Sequence, residues 1–382
     1  MKYIPRKIET LLLKSIANIP VTAIIGPRQC GKSTLVKHLL KQIDKTLYLD
    51  LERPSDLQKL KDAEFFLSQY KTHTICIDEI QRKPELFPLM RSLVDEWDEN
   101  GKFIILGSAS RDLIKQSSET LAGRIFYHQL TPFLWSEINH HFSDYFLKGG
   151  FPLSLLNNDN EMSLLWRENF INTFLERDLL QWAHFTPKTM YRLWQMLANN
   201  NGQTVNYTKF ASSLGVSDTT VKSYIELLQG TFMIEVVPPY LSNLGKRMIK
   251  APKVYVADSG ITSALLGLND FNKVAGHAVF GSIWEQIVLT NIKAQNHNAN
   301  VYFYRSSTGN EIDFVLDIHG CVFAIECKST SSPSLSEGNY KALEDIKPLK
   351  TFVVIPHNKK KYLINNSIEV VSISQLIEDL KK

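Results

Sequence analysis

The stretch Gly26-Pro27-Arg28-Gln29-Cys30-Gly31-Lys32-Ser33-Thr34 spaces its glycines, lysine and hydroxyls as G-x-x-x-x-G-K-[ST]. The chemistry that suits this spacing is polyphosphate binding: backbone N–H groups surround phosphate oxygens, Lys32 reaches the β and γ phosphates, and the Ser33 hydroxyl can ligate Mg2+. A second acidic element follows, where the apolar run Thr74-Ile75-Cys76-Ile77 ends in Asp78-Glu79. Asp78 is placed to organise Mg2+ and Glu79 to activate the attacking water, so the pair predicts ATP hydrolysis. Beyond the next apolar run, Phe103–Leu106, come Gly107-Ser108-Ala109-Ser110, and Ser108 is the candidate sensor of the γ-phosphate.

A second constellation lies near the C-terminus: Glu285, Asp313 and Glu326-Cys327-Lys328. If His319-Gly320 is the two-residue turn of a hairpin, Asp313 falls opposite Glu326 and Glu311 opposite Lys328, all on one face. Ile312, Phe314, Leu316, Phe323, Ile325 and Cys327 then fill the other face, as in a half-buried hairpin. Facing carboxylates repel unless a cation joins them, and oxygen ligands suit Mg2+ or Mn2+. Glu285, from the preceding helix, could complete the coordination. The competing reading pairs Lys328 with Glu311 at the surface and leaves Asp313 solvated.

These residues need elements to hold them. Val21–Ile25, Thr46–Leu51, Thr74–Ile77, Lys102–Leu106 and Ile125–Leu130 read as strands separated by helical stretches, which predicts an α/β fold with a mostly parallel sheet. The glycine-rich loop falls after the first strand and before a helix over Thr34–Gln42, the context its chemistry requires. Residues 151–200 turn helical and aromatic. Tyr207–Leu214, Gly215-Val216-Ser217 and Asp218–Gln229 read as helix, turn and helix, with Ser217 as N-cap. Phe232–Val237 and Lys253–Ala257 follow as candidate wing strands. Residues 187–253 hold eight Lys or Arg against three Asp or Glu, a local +5 that exceeds the whole-chain +4. Lys246, Arg247, Lys250 and Lys253 are thereby candidate contacts to DNA phosphates. A helix over Ser282–Gln295, a run of strands from Val301 to Cys327, a loop at 329–339 and an αβα pattern complete the chain. The expected domains are residues 1–150, 151–255 and 256–382.

Composition sets the outer bounds. At 382 residues with 44% hydrophobic and 21% charged residues, the chain is long enough for several cores and is neither disordered nor membrane-embedded in character. Four cysteines without metal-ligand spacing point to a reducing cytoplasmic compartment. No run of about 18 apolar residues and no signal-peptide pattern is present, so no membrane partner is expected.

The combined pattern resembles the AAA+ ATPases, in particular a prokaryotic family with a G-P-R-Q-x-G-K-[ST]-[ST] loop and a later Leu-Ala-Gly-Arg segment, here Leu121-Ala122-Gly123-Arg124. The resemblance implies a P-loop AAA+ sheet with helices on both faces, ATP with Mg2+ as cofactors, and a homo-oligomer in which Arg124 acts as an arginine finger on a neighbour's nucleotide. An ordinary ion pair is the alternative role for Arg124. Two positions depart from the pattern: Cys30 stands where an aliphatic residue is usual, and Leu106 where Thr often precedes the sensor. The family carries a winged-helix module in the middle, implying DNA as partner, although a winged helix that only packs on the ATPase core fits the residues equally well. Glu285, Asp313, Glu326 and Lys328 resemble the restriction-endonuclease-like PD-(D/E)-x-K nucleases, which implies a nuclease-like C-terminal α/β domain. There the three acids would bind metal and Lys328 would act on the hydroxide or the developing charge. The expected function is an ATP-driven protein acting on DNA, the alternative a nucleotide-dependent switch that binds a protein or DNA partner and cuts nothing.

Overall fold

A computed structural model describes residues 3–107, 120–138, 141–179, 186–240, 250–296, 298–357, 359–365 and 367–381. Two compact units divide the chain, one of residues 1–133 with 230–232, the other of residues 134–229 with 233–382.

The first unit is built on five parallel strands: β1 (Val21–Ile25), β2 (Thr46–Asp50), β3 (Thr74–Asp78), β4 (Phe103–Gly107) and β5 (Ile125–Gln129). Their order is β2-β3-β4-β1-β5, with every pairing parallel. Parallel strands need crossovers, and helices Lys32–Leu39 and Leu86–Trp97 supply two of them. β1 and β4 are buried along their whole length, which explains why they read as continuous apolar runs and not as alternations. Leu49, Ile75, Ile77, Phe87, Met90, Phe103 and Ile105 fill the core on one side of the sheet. All five strands lie within one residue of the positions expected from sequence.

The second unit opens with helices, among them Phe142–Lys148, Asn160–Thr173 and Pro187–Asn199. Helices Tyr207–Leu214 and Asp218–Gly230 then stand in sequence across the short Gly215–Ser217 turn. Asn206 Oδ1 accepts from the Lys209 N–H at 2.9 Å, and Ser217 Oγ from the Thr220 N–H at 3.1 Å, so both helices start on side-chain caps. A small sheet follows, ordered β6 (Gln203–Thr204), β8 (Lys253–Val256), β7 (Ile234–Val237), all antiparallel. The chain beyond β7 pairs onward, the Tyr240 N–H donating to Phe303 O at 2.7 Å.

Phe303 belongs to β9 (Ala299–Arg305), the edge of a six-stranded mixed sheet with β10 (Glu311–Ile318), β11 (Cys321–Cys327), β12 (Lys350–Val354), β13 (Tyr362–Asn365) and β14 (Ile368–Val371). Its order is β13-β14-β12-β11-β10-β9. The β10–β11 hairpin has the expected register, Phe314 opposite Ile325 and Ile318 opposite Cys321. It is not half-buried, however. Ile312, Phe314, Val315 and Leu316 are all fully buried because this is the middle of a sheet. Ala342 and Ile346 of helix Glu337–Ile346 pack with Val315 and Ala324 on one face, and Tyr255 packs on Phe314 on the other. Among the described residues, no helix is long and apolar enough to cross a membrane.

Candidate functional site

The nucleotide loop leaves the C-terminal end of β1 and closes on the helix Lys32–Leu39. Gly26 is required by space: a Cβ there would lie 2.1 Å from Leu130 O. Gly31, the residue before the helix, has φ +103°, a conformation that side chains strain to adopt. Lys32 is buried, its Nζ donating to Gly26 O at 2.9 Å and Pro27 O at 2.8 Å, so the ammonium spans the loop. Cys30 is fully buried and its thiol donates to Leu130 O at 3.5 Å, so it packs as the small hydrophobe its position calls for. A residue far upstream braces the loop from behind. Buried Arg6 donates to Cys30 O at 3.3 Å and to Thr131 O at 2.8 Å, with its guanidinium 4.8 Å from the centre of the Phe133 ring.

The acidic strand end meets this loop. Although β4 separates β3 from β1, the Ser33 hydroxyl donates to Asp78 Oδ2 at 2.6 Å. The Tyr48 hydroxyl donates to the same oxygen. Tyr48 lies opposite Cys76 in the parallel ladder, so Asp78 is its diagonal neighbour on the same face, within reach of an aromatic side chain. Burial and then the Asp78 carboxylate hold the Tyr48 phenol well above its ordinary range, which keeps it a donor. Lys37 Nζ lies 4.6 Å from the centre of the Tyr48 ring. Glu79 has φ +59°, a left-handed conformation that turns its backbone sharply at the strand end. Burial pushes the Glu79 carboxyl up, against the pull of Lys32 and Arg28, and Gln81 donates to it. Ser33 and Asp78 together form an oxygen donor set of the kind Mg2+ takes with a polyphosphate, so these residues fit that ion.

Sequence reasoning brought Lys32, Ser33, Asp78 and Glu79 to one place, and there they stand. Thr34 follows on the same helix. Ser108 lies outside the described residues. Arg124 is elsewhere: its carbonyl accepts from the Val21 N–H at 3.0 Å, at the N-terminal ends of β1 and β5, the opposite edge from the loop. Its guanidinium holds Asp95 of helix Leu86–Trp97 in two bonds, the longer at 3.1 Å. Tyr48 and Arg6 were missed, since each comes from a separate element; an aromatic residue two positions diagonal to Asp78 was the available signal for the first.

The C-terminal residues also converge, around a group that was expected elsewhere. Lys253 at the start of β8 is buried to 2% side-chain exposure, with Nζ 2.6 Å from Glu311 Oε1 and 3.8 Å from both Glu285 Oε2 and Asp313 Oδ1. It is therefore no contact for DNA phosphate, as its place in the basic segment had suggested. Lys246 and Arg247 lie outside the described residues, and Lys250 is exposed. Lys328 Nζ pairs with Glu326 Oε1 at 2.8 Å, not with Glu311, which holds Lys253 and Arg305. Asp313 is not solvated. Its Oδ2 accepts from the Cys327 N–H at 2.8 Å, while Glu326 accepts from Asn339 Nδ2 at 3.1 Å and from the Asp313 N–H at 3.4 Å. Tyr255, two residues on from Lys253 and so on the same strand face, donates to Glu285 Oε2 at 2.7 Å.

Burial and then the Asp313 charge push Glu285 and Glu326 each up to about 8, and burial raises Asp313 as well. Burial alone would lower Lys253, yet Glu285, Asp313 and Glu311 together hold it above the ordinary lysine range. Asp313 Oδ2, Glu285 Oε2 and Glu326 Oε1 already accept from the Cys327 N–H, the Tyr255 hydroxyl and the Lys328 ammonium, and the Lys253 ammonium stands among the same acids. Among the described residues, no three His, Cys, Asp or Glu are disposed to hold a metal ion. The cluster does not fit the Mg2+ or Mn2+ expected there.

Comparison with known proteins identifies an AAA domain in the region that holds the first site. Residues 18–139 match the family described as an AAA domain, which makes this unit an AAA-type P-loop ATPase domain. Residues 139–272 and 280–376 match two domains of unknown function, DUF8612 and DUF4143. Along nearly the whole chain, two proteins are similar, the uncharacterized proteins Rv2008c of Mycobacterium tuberculosis and Mb2031c of Mycobacterium bovis. Each is 34% identical over 368 residues, covering 96% of this chain and 83% of the relative. Among solved structures, the Walker-type ATPase PABY2304 of Pyrococcus abyssi aligns with a TM-score of 0.49 at 16% identity, over 69% of this chain and 96% of that one. AMPPCP-bound DnaA from Aquifex aeolicus aligns with a TM-score of 0.28 at 11% identity, over 58% of this chain and 86% of that one.

Proposed function

From the premise that the chain belongs to the family of the mycobacterial proteins Rv2008c and Mb2031c and carries an AAA-type ATPase domain, we infer that it hydrolyses ATP and uses the cycle to act on DNA without cutting it. The observation that carries the hydrolytic half is the closure of Ser33 on Asp78 at 2.6 Å with Glu79 next in the chain. On binding ATP, Lys32 exchanges two neutral carbonyl partners for anionic phosphate oxygens, a gain because charge-assisted hydrogen bonds are the stronger kind. Ser33 and Asp78 are the residues that would hold Mg2+, which would supply charge stabilisation to the reacting phosphates. Glu79 accepts the proton of the attacking water; its buried, raised carboxyl is a better base than a solvated glutamate.

The DNA half rests on the helix-turn-helix and three-stranded sheet, an arrangement that supports a winged-helix reading. Lys188, Arg192, Lys209, Lys222 and Lys250 are all exposed in this region. On helix Asp218–Gly230, Thr219, Lys222, Ser223 and Glu226 are exposed, while Lys222 lies 5.3 Å from the centre of the Tyr207 ring. Such a face suits phosphate contacts more than base readout. The carboxylate cluster, with Lys253 inside it, favours binding over cleavage.

Steady-state ATPase measurement on the full chain, with and without duplex DNA, tests both halves. Lys32→Ala is expected to lose ATP affinity, whereas Glu79→Gln keeps it and drops turnover by about 10²–10⁴-fold. Undiminished hydrolysis by Glu79→Gln removes the assignment of the base. Replacing Lys246, Arg247 and Lys250 with Ala should flatten log DNA affinity against log salt by roughly 2–3. A wild type with neither DNA affinity nor DNA-stimulated turnover leaves a protein partner as the reading.

A further inference from the structure

We propose that Lys253 is the resident cation of the C-terminal carboxylate cluster: its ammonium, delivered by β8, occupies the place of a divalent metal and ties the three-stranded sheet to the six-stranded one. The inference concerns the second unit alone and stands whether or not the ATPase reading holds.

Three observations carry it. The first is geometry: Lys253 Nζ reaches three carboxylates on two elements, Glu285 on helix Phe280–Gln295 and Glu311 and Asp313 on β10, while its own backbone belongs to the other sheet. Only a group inserted between the layers can face all of them. The second is charge. Glu285, Glu311, Asp313 and Glu326 are met by Lys253, Lys328 and Arg305, so four acids stand against three cations without any added ion. A divalent ion among the same oxygens would lie beside a fixed ammonium and be repelled by it. The third is hydrogen bonding. Asp313 Oδ2 is taken by the Cys327 N–H, Glu326 by Lys328 and Asn339, and Glu285 Oε2 by the Tyr255 hydroxyl. A hard cation that demands near-octahedral oxygen ligation would have to compete with these donors and with the Lys253 ammonium.

The same β8 strand therefore places two side chains, Lys253 and Tyr255, on the cluster. Their work is to neutralise and to bond, and further contacts between the sheets, Tyr240 N–H to Phe303 O and Phe303 N–H to Pro238 O, lie on the neighbouring strand path. Burying an ammonium is costly, but removing one partner of a buried ion pair costs more, since it strands the others.

The experiment uses the full chain free of nucleotide, with Mn2+ uptake followed by electron paramagnetic resonance and melting followed with and without Mn2+. The wild type should show no Mn2+ uptake that depends on Asp313, and its Tm should not respond to the ion. Lys253→Met should melt roughly 5–15 °C lower, gain one Mn2+ per chain, recover Tm when Mn2+ is added, and lose all of this on further change of Asp313→Asn. Should Lys253→Met fail to fold, the charge-balanced variant Lys253→Met with Glu311→Gln retains Glu285, Asp313 and Glu326 and should gain the same Mn2+ response. Wild-type Mn2+ uptake that Asp313→Asn abolishes overturns the proposal, as does a folded Lys253→Met protein that remains blind to Mn2+.

Discussion

The hydroxyl of Tyr48 and that of Ser33 end on one carboxylate oxygen of Asp78, and the proposed mechanism gives the two donors different fates. Ser33 would turn to the metal, leaving Tyr48 as the donor that keeps Asp78 in its rotamer. Tyr48 acts through Asp78, to which it donates, so it is a positioning residue. Tyr48→Phe keeps the ring under Lys37 and deletes only the hydroxyl; a hydrogen bond to a charged group is worth about 1.5–3 kcal/mol. The expected outcome is a severalfold rise in the Mg2+ concentration needed for half-maximal turnover, with ATP affinity in the absence of Mg2+ unchanged. Titrating Mg2+ against turnover, beside fluorescent-nucleotide binding in a chelator, checks this; equal loss in both assays would make Tyr48 merely structural. Why Tyr48 and Lys253 escape sequence reading, while Lys32 and Asp78 do not, follows from where each gets its partner. The loop residues are contiguous, so their spacing alone encodes the site. Tyr48 and Lys253 act across strands whose neighbours are fixed only by sheet order, and a lysine beside a basic run reads first as a surface charge.

Strand and turn positions were legible because each carries a local signature: apolar runs for β1, β3 and β4, a capping serine for helix Asp218–Gly230. Whether a hairpin face is covered is not local. The β10–β11 alternation looked half-buried, and helix Glu337–Ile346, contributed from later in the chain, closed the other side. Gly26→Ala puts a methyl 2.1 Å from Leu130 O, backbone against which it cannot rotate, so the loop must part from the chain after β5. Loss of nucleotide affinity together with a lower Tm is the expected result, and an unchanged affinity would mean the loop tolerates displacement. Ser217→Ala makes a milder case. It removes the 3.1 Å bond to the Thr220 N–H and should cost about 1 kcal/mol, seen as a small fall in Tm with ATP turnover kept.

Within a single chain Arg124 cannot serve its own nucleotide. The loop lies at the C-terminal end of β1 and Arg124 at the N-terminal end, a separation of roughly 13–16 Å along a strand of five residues. Its guanidinium is held instead by Asp95, at a site with 34% and 44% side-chain exposure, where an ion pair contributes little and is readily exchanged. A surface arginine on a weak partner, away from its own phosphates, can be tested as a residue that serves a neighbouring copy. If it does so, turnover belongs to the assembly. Wild-type specific activity should then rise with protein concentration, and Arg124→Ala should lower turnover by about 10³-fold or more at unchanged ATP affinity. Asp95→Ala separates this from a structural role: it breaks the same ion pair but leaves the arginine, so it should keep the concentration dependence and most of the activity. Mixing Arg124→Ala chains with Glu79→Gln chains gives the decisive reading. Each variant lacks what the other supplies, and activity should reappear only if the arginine of one chain acts at the nucleotide of another. Activity independent of concentration, with Arg124→Ala as active as the wild type and no recovery on mixing, would leave Arg124 as the partner of Asp95 and the chain as a self-sufficient ATPase.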